Sequence, residues 1–296
     1  MHALIAIALA LAVAVGFVPP ARAAPGAKTE PLAFYVNYAA RVPTAPLVAH
    51  ALSIVHPDAA VDLAAAHRVG NTVLAYLSVG EVAADAPYRA DVLARRLPFA
   101  GRNATWNSDL VDLTDPRWAD FFVTQLAPAI VARGFDGFFL DTLDSIELAA
   151  GPAPARLAAL RAGLVAVVRR LHAAFPTKRI LVNRGFSSFD DLRDAIDGVL
   201  VESLFESHDF ATKTSRAVPP ADSAALLVHL ERVAAAGRQV YVLDYTTPPT
   251  PRGPQPPPTG AGRSVSTPLS PPLASTARCS PRSGPCRAGS VRFSAT

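Results

Sequence analysis

Two acidic residues three positions apart, Asp141 and Asp144, follow the apolar run Gly137 to Leu140 in the segment GFFLDTLDS. A third acid, Glu202, interrupts VLVESLF with apolar residues on both sides. Burying an acid is costly unless it is paired or used, so Asp141 and Glu202 are candidates for chemistry. Two carboxylates at one site can divide the work of cleaving a glycosidic bond. One is protonated and donates to the leaving oxygen, while the other stays ionised and attacks the sugar or activates water. Aromatic rings at the same mouth would stack on sugars, and Tyr35, Tyr38, Tyr76, Trp106 and Tyr245 are available. Two other acids have structural alternatives. Asp144 is placed to cap the helix after it, and Glu81, after LSVG, can be a solvated loop residue.

Competing chemistries find little support. None of the seven histidines forms an H-x-H pair or HExxH, which argues against zinc hydrolases. There is no P-loop, no G-x-G-x-x-G and no G-x-S-x-G. The two cysteines, Cys279 and Cys286, lie in a Pro-rich segment, where in an oxidising compartment they could close a small loop.

The acids need a frame. Short apolar runs at 33–38, 51–56, 72–80, 137–141, 179–185, 198–205 and 239–245 read as strands covered on both faces. Between them lie helical stretches. Residues 59–70 end at Gly70, and residues 115–134 open with Asp115 and Pro116 and close at Gly134. Residues 155–175 and 223–237 repeat the scheme. Such alternation implies an α/β fold with a parallel sheet, doubly wound or closed into a barrel. Polar residues recur at the carboxyl ends of the runs: Asn37, His56, Ser78, Asp141, Asn183, Glu202 and Asp244. A doubly wound sheet gathers its site at one switch point, whereas a barrel draws on many strand ends. The pattern favours a (β/α)8 TIM barrel, and only seven of its strands are visible.

The chain divides into three parts. Residues 3–18 are an unbroken apolar run, followed by an A-x-A pattern ending at Ala23. Residues 1–23 therefore read as a signal peptide of a secreted or periplasmic protein, with no stable membrane insertion after cleavage. Residues 32–246 form the barrel domain. Residues 247–296 read as a disordered tail, because 12 of the 28 prolines and no acid lie from Pro248 to Thr296. An eighth strand is not visible there, and such a switch of composition is also what a shifted reading frame yields. Removing that segment's six arginines and Arg22 from the formal +4 leaves −3 for residues 24–247. The high pI thus belongs to the tail and gives no sign of nucleic-acid binding by the body. No feature sets an oligomeric state.

Five motifs in order carry a resemblance: YLSVGE (76–81), Trp106 with LVDLTDPRW (110–118), GFDGFFLDTLDS (134–145), NRGF (183–186) and VESLF (201–205). Together they resemble glycoside hydrolase family 114, the endo-α-1,4-polygalactosaminidase-type TIM barrel. The resemblance implies hydrolysis of α-1,4-linked galactosamine polysaccharide without a cofactor or metal. It makes Asp141 the nucleophile or base and Glu202 the general acid. Glu81, Asp144, Asn183 and Arg184 would line the sugar subsites, joined by Tyr38, Tyr76, Trp106, Asp244 and Tyr245. The alternative is a non-catalytic glycan-binding barrel of the cell envelope.

Overall fold

The computed structural model describes residues 34–209, 212 and 214–245, with the backbone of 277–279 and 286–290. Each apolar run forms a strand: β1 (Phe34–Asn37), β2 (Leu52–Val55), β3 (Thr72–Ser78), β4 (Gly137–Asp141), β5 (Arg179–Asn183), β6 (Gly198–Glu202) and β7 (Gln239–Tyr245). They pair in parallel and in chain order, curling into the expected α/β TIM-like barrel.

Strand parity sorts the side chains. Phe34, Leu52, Ile54, Leu74, Phe139, Leu181, Leu200, Tyr241 and Leu243 fill the barrel interior. Their neighbours, among them Val73, Phe138, Leu140, Val182, Val199, Val201 and Val242, pack outward with the helices in a larger core. With a period of two, the inward positions that follow Leu74, Phe139, Leu181, Leu200 and Leu243 are Tyr76, Asp141, Asn183, Glu202 and Tyr245. Alternation alone therefore lifts these five polar side chains to the carboxyl-end mouth, where barrel enzymes place their sites.

The two acid-bearing strands share a foot. Asp136 precedes Gly137 and accepts the backbone N–H of Val73 at 2.8 Å. Asp197 precedes Gly198 and accepts that of Ile180 at 2.7 Å. Each glycine is needed for close approach, since a Cβ would lie 2.1 Å from the Arg179 carbonyl oxygen at Gly137 and 2.5 Å from that of Gln239 at Gly198.

The helix expected over 115–134 runs from Pro116 to Ala132, with Asp115 accepting the N–H of Arg117 at its start. Its middle, Phe122–Leu126, is wound as a π-helix. Pro128, lacking an N–H, cannot supply the α-helical bond to residue 124, and the wider turn accommodates this. The long helix Pro154–Ala174 and the helix Pro220–Ala235 match the other two expected segments.

Two rim insertions were not expected. Between β3 and the helix at Pro116, strands Glu81–Ala83, Phe99–Asn103 and Ser108–Val111 form an antiparallel sheet. After β6, strands Glu206–Asp209 and Thr214–Ala217 form a hairpin. Both follow strand carboxyl ends and so stand on the mouth side.

Beyond β7 the described residues add two short segments, which occupy the seam between β7 and β1. Ala277–Cys279 pairs in parallel with Leu243–Tyr245, and Cys286–Ser290 pairs antiparallel with both β1 and β7. The open edges of β1 and β7 present unpaired N–H and C=O groups, which extended chain of almost any composition can satisfy. The rest of the proposed tail, the side chains of Cys279 and Cys286, and the proposed signal peptide lie outside the described residues.

Candidate active site

Asn183 stands between the two acids. Its Nδ2 donates to Asp141 Oδ1 at 3.0 Å and to Glu202 Oε1 at 3.1 Å. Those two oxygens are therefore no more than about 6.1 Å apart, the sum of the two bond lengths. The outer oxygens are held by tyrosines: Tyr76 donates to Asp141 Oδ2 at 2.8 Å, and Tyr245 donates to Glu202 Oε2. Tyr38 closes the group, its ring edge-to-face with Tyr76 at 5.1 Å and 46% exposed. The guanidinium of Arg184 donates to the backbone carbonyl of Glu202 at 2.6 Å.

The chain bends sharply after each strand-end residue. Thr142, Arg184 and Ser203 follow Asp141, Asn183 and Glu202, with φ of 64°, 52° and 57°. A left-handed backbone is costly for such residues, about 1–3 kcal/mol each, and persists where the surroundings enforce it. Here neighbouring strands do so. The N–H of Arg184 bonds Leu200 O and that of Ser203 bonds Leu243 O, both at 2.9 Å. Thr142 Oγ1 accepts from Gly80 N at 2.9 Å and pairs with Ser78 Oγ at 2.8 Å.

Electrostatics separate the carboxyls. Burial holds Glu202 above the usual carboxylate range, and the charge of Asp141 adds to this. Bonds from Tyr245 and Asn183 and the nearby Arg184 oppose the rise. Burial, reinforced by the adjoining carboxylates, also raises Tyr76 and Tyr245, which stay protonated as donors. Asp144 is raised by burial and then by the charge of Glu147. Its side chain does not cap its helix, and the neighbouring Gly185 backbone and the charge of Arg184 oppose the rise.

Three other candidates lie elsewhere. Glu81 is buried, only 4% exposed, and accepts from Asn103 Nδ2 at 3.1 Å, Ser145 Oγ at 2.5 Å and Ser108 Oγ. It joins the rim sheet to the helix Ser145–Ala150 beside the Asp141 loop and does not line the mouth. Asp244 has the outward parity and is 2% exposed, accepting the N–H groups of Phe205 and Glu206 at the root of the rim hairpin. Trp106 is 68% exposed in the turn between two rim strands. His208, not among the expected residues, brings its ring to 6.1 Å from Tyr245.

Among the described residues, no group of three or more His, Cys, Asp or Glu is arranged to hold a metal ion, and no helix is long and apolar enough to cross a membrane.

A sequence model of glycoside-hydrolase family GH114 matches residues 18–263. This chain belongs to that family. It is similar to the glycoside hydrolase domain of PelA from Pseudomonas aeruginosa, with 33% identity over 74% of this chain and 85% of that one, and a TM-score of 0.65. A variant of that domain matches at 32% identity with the same coverage and TM-score. Ega3 of Aspergillus fumigatus, solved in complex with galactosamine, shares the fold at 13% identity, with a TM-score of 0.53 over 74% of this chain and 80% of that one. No curated protein matches. A family assignment with two carboxyls at the barrel mouth makes the chain a glycoside hydrolase.

Proposed function

We propose that this chain is an exported hydrolase of α-1,4-linked galactosamine polysaccharide that works through Asp141 and Glu202 with retention of configuration. The observation that carries this is the single amide nitrogen shared by the two carboxylates. It limits their nearest oxygens to about 6.1 Å, short of the ~6.5–9.5 Å that admits a water in inverting enzymes and near the ~5–5.5 Å of retaining ones.

In the first step an Asp141 oxygen attacks the anomeric carbon as the C–O bond to the departing sugar breaks. Glu202, whose carboxyl is raised by burial and by the charge of Asp141 against the opposing bonds from Tyr245 and Asn183, gives its proton to the leaving oxygen. Forming the glycosyl ester removes the charge of Asp141 and with it one influence that favours protonated Glu202. Glu202 then accepts a proton from water, the water oxygen bonds to the anomeric carbon, and Asp141 leaves as carboxylate. One group thus serves as acid and then as base.

A cationic substrate fits the charge at the mouth, where Asp141, Asp144 and Glu202 face Arg184 as the neighbouring cation. The −3 body extends the same sign over a longer range. Tyr38 and Tyr76 offer ring faces for sugars. The apolar run and A-x-A pattern before residue 24 support export to a secreted or periplasmic location.

The test is release of reducing ends from a partly deacetylated α-1,4-galactosamine polymer by residues 24–296 and by Glu202→Gln, both melting cooperatively. Turnover by the parent and its loss, with retained binding, in the variant is the expected result. A folded parent that binds the polymer without cleaving it would sink the assignment and leave a glycan-binding barrel.

A further inference from the structure

We propose that Asn183 is the positioning residue that fixes the separation of Asp141 and Glu202 and aims both carboxyls at one substrate bond. This role rests on the two-carboxylate function proposed above.

The topology creates the need. Asp141 ends β4 and Glu202 ends β6, and β5 lies between them. Strands two apart are separated by roughly 9.5 Å, so the two side chains must lean over β5 to share a site. Asn183 is the last inward residue of β5, and its amide carries two N–H hydrogens on one nitrogen. Each serves one carboxylate, at 3.0 and 3.1 Å. The opposite amide orientation would set a carbonyl oxygen against both acids.

The orientation leaves a mark. Asn183 Oδ1 is buried and without a hydrogen-bond partner among the described residues. Buried acceptors are seldom left so, and here the two carboxyl oxygens, both accepting from Nδ2, dictate the amide's direction at the expense of its own oxygen. The next residue tightens the grip, since Arg184 turns into the left-handed region and its guanidinium holds the Glu202 backbone carbonyl. Residues 183 and 184 thus clasp Glu202 by carboxyl and by main chain.

The choice of an amide has a chemical reason. A lysine or arginine between the acids would strongly favour ionised Glu202 and repel a cationic sugar. A hydroxyl has one hydrogen and cannot donate to both carboxylates. Asparagine spans the pair without adding charge.

The experiment compares the parent with Asn183→Ala and Asn183→Asp, each first shown to melt cooperatively; the near-isosteric Asp variant serves where Ala does not. Asn183→Ala is expected to lower kcat by up to ~10²-fold, the scale of misplacing a reacting group by about 1 Å. It should also move the alkaline limb of the kcat/KM profile to higher pH, because Glu202 loses a donor that favours its ionised form. Asn183→Asp, which adds a negative charge, should move that limb further. A side chain that merely packs would reduce activity and leave the limb in place, and that outcome overturns the proposal. Titration of the Glu202 carboxyl carbon by NMR reads the same shift without turnover. An unmoved midpoint there overturns the role of Asn183 by itself, whereas a moved midpoint in a chain that cleaves nothing sinks only the hydrolase function.

Discussion

Tyr245 donates its hydroxyl hydrogen to Glu202 from the neighbouring strand, two positions beyond Leu243, the register partner of Glu202. Because burial and the carboxylate keep this tyrosine protonated, the bond always runs toward the acid and favours its ionised form. Tyr245→Phe should therefore raise Glu202 further and shift the alkaline limb of the rate profile to higher pH. A charge-assisted bond contributes ~1.5–3 kcal/mol, so a loss of roughly 10-fold or more in kcat is expected where the lost bond also holds the acid in place. Steady-state rates across pH measure both effects.

Asp144 gives a stability prediction with a definite sign. Burial and Glu147 hold its carboxyl above the usual range in the fold. A folded state that resists ionisation loses stability as pH rises from the unfolded carboxyl value toward the folded one. The penalty is absent below about pH 4, where both states hold the proton, and complete above the folded value. Asp144→Asn keeps the size and shape of the side chain and removes the charge. It should raise Tm at pH 7 and leave it unchanged in acid, which parallel melts at the two pH values would show.

The frame was legible because continuous apolar runs with polar ends allow few alternatives, and all seven appear as strands. Parity was harder to read. A run such as VLVESLF says that a strand is buried, but not which of its residues face inward. That ambiguity is why Asp244 and Tyr245 read as equal candidates, although one anchors a hairpin root and the other touches Glu202. A usable signal was present in the repeat Asp-Gly, three apolar residues, then an acid, at Asp136 to Asp141 and at Asp197 to Glu202. The rim insertions escaped because strands such as FAGRN, ESHD and TSRA carry no apolar alternation. Glu81 was visible as an acid, but its burial depends on Asn103, Ser108 and Ser145, which only the folded chain brings to it.

Gly80 tests the loop that carries Asp141, the proposed nucleophile. A Cβ at this position would lie 2.3 Å from the Thr142 carbonyl oxygen, and Thr142 is the left-handed residue directly after Asp141. Gly80→Ala must push that loop away or distort β3. It should cost ~1–3 kcal/mol of stability, as overpacking does, and lower kcat more than it raises KM. Denaturant unfolding together with steady-state kinetics separates the two; an unchanged kcat with lowered stability would show that the displacement spares Asp141.

The foot of β6 should behave in the opposite way from its mouth. Asp197 accepts the Ile180 N–H at 2.7 Å, and Gly198 lets β7 approach closely, both at the end of the barrel that carries stability. Asp197→Ala leaves a buried N–H without its acceptor, a loss of ~1–3 kcal/mol. Since Glu202 stands five residues away at the other end of the strand, the alkaline limb should stay where it is in the parent. Chemical denaturation reads the first effect and the pH profile of kcat/KM the second. A limb that moves with Asp197→Ala would mean that the foot sets the strand's register, and that the acid's position is decided at the base of the barrel.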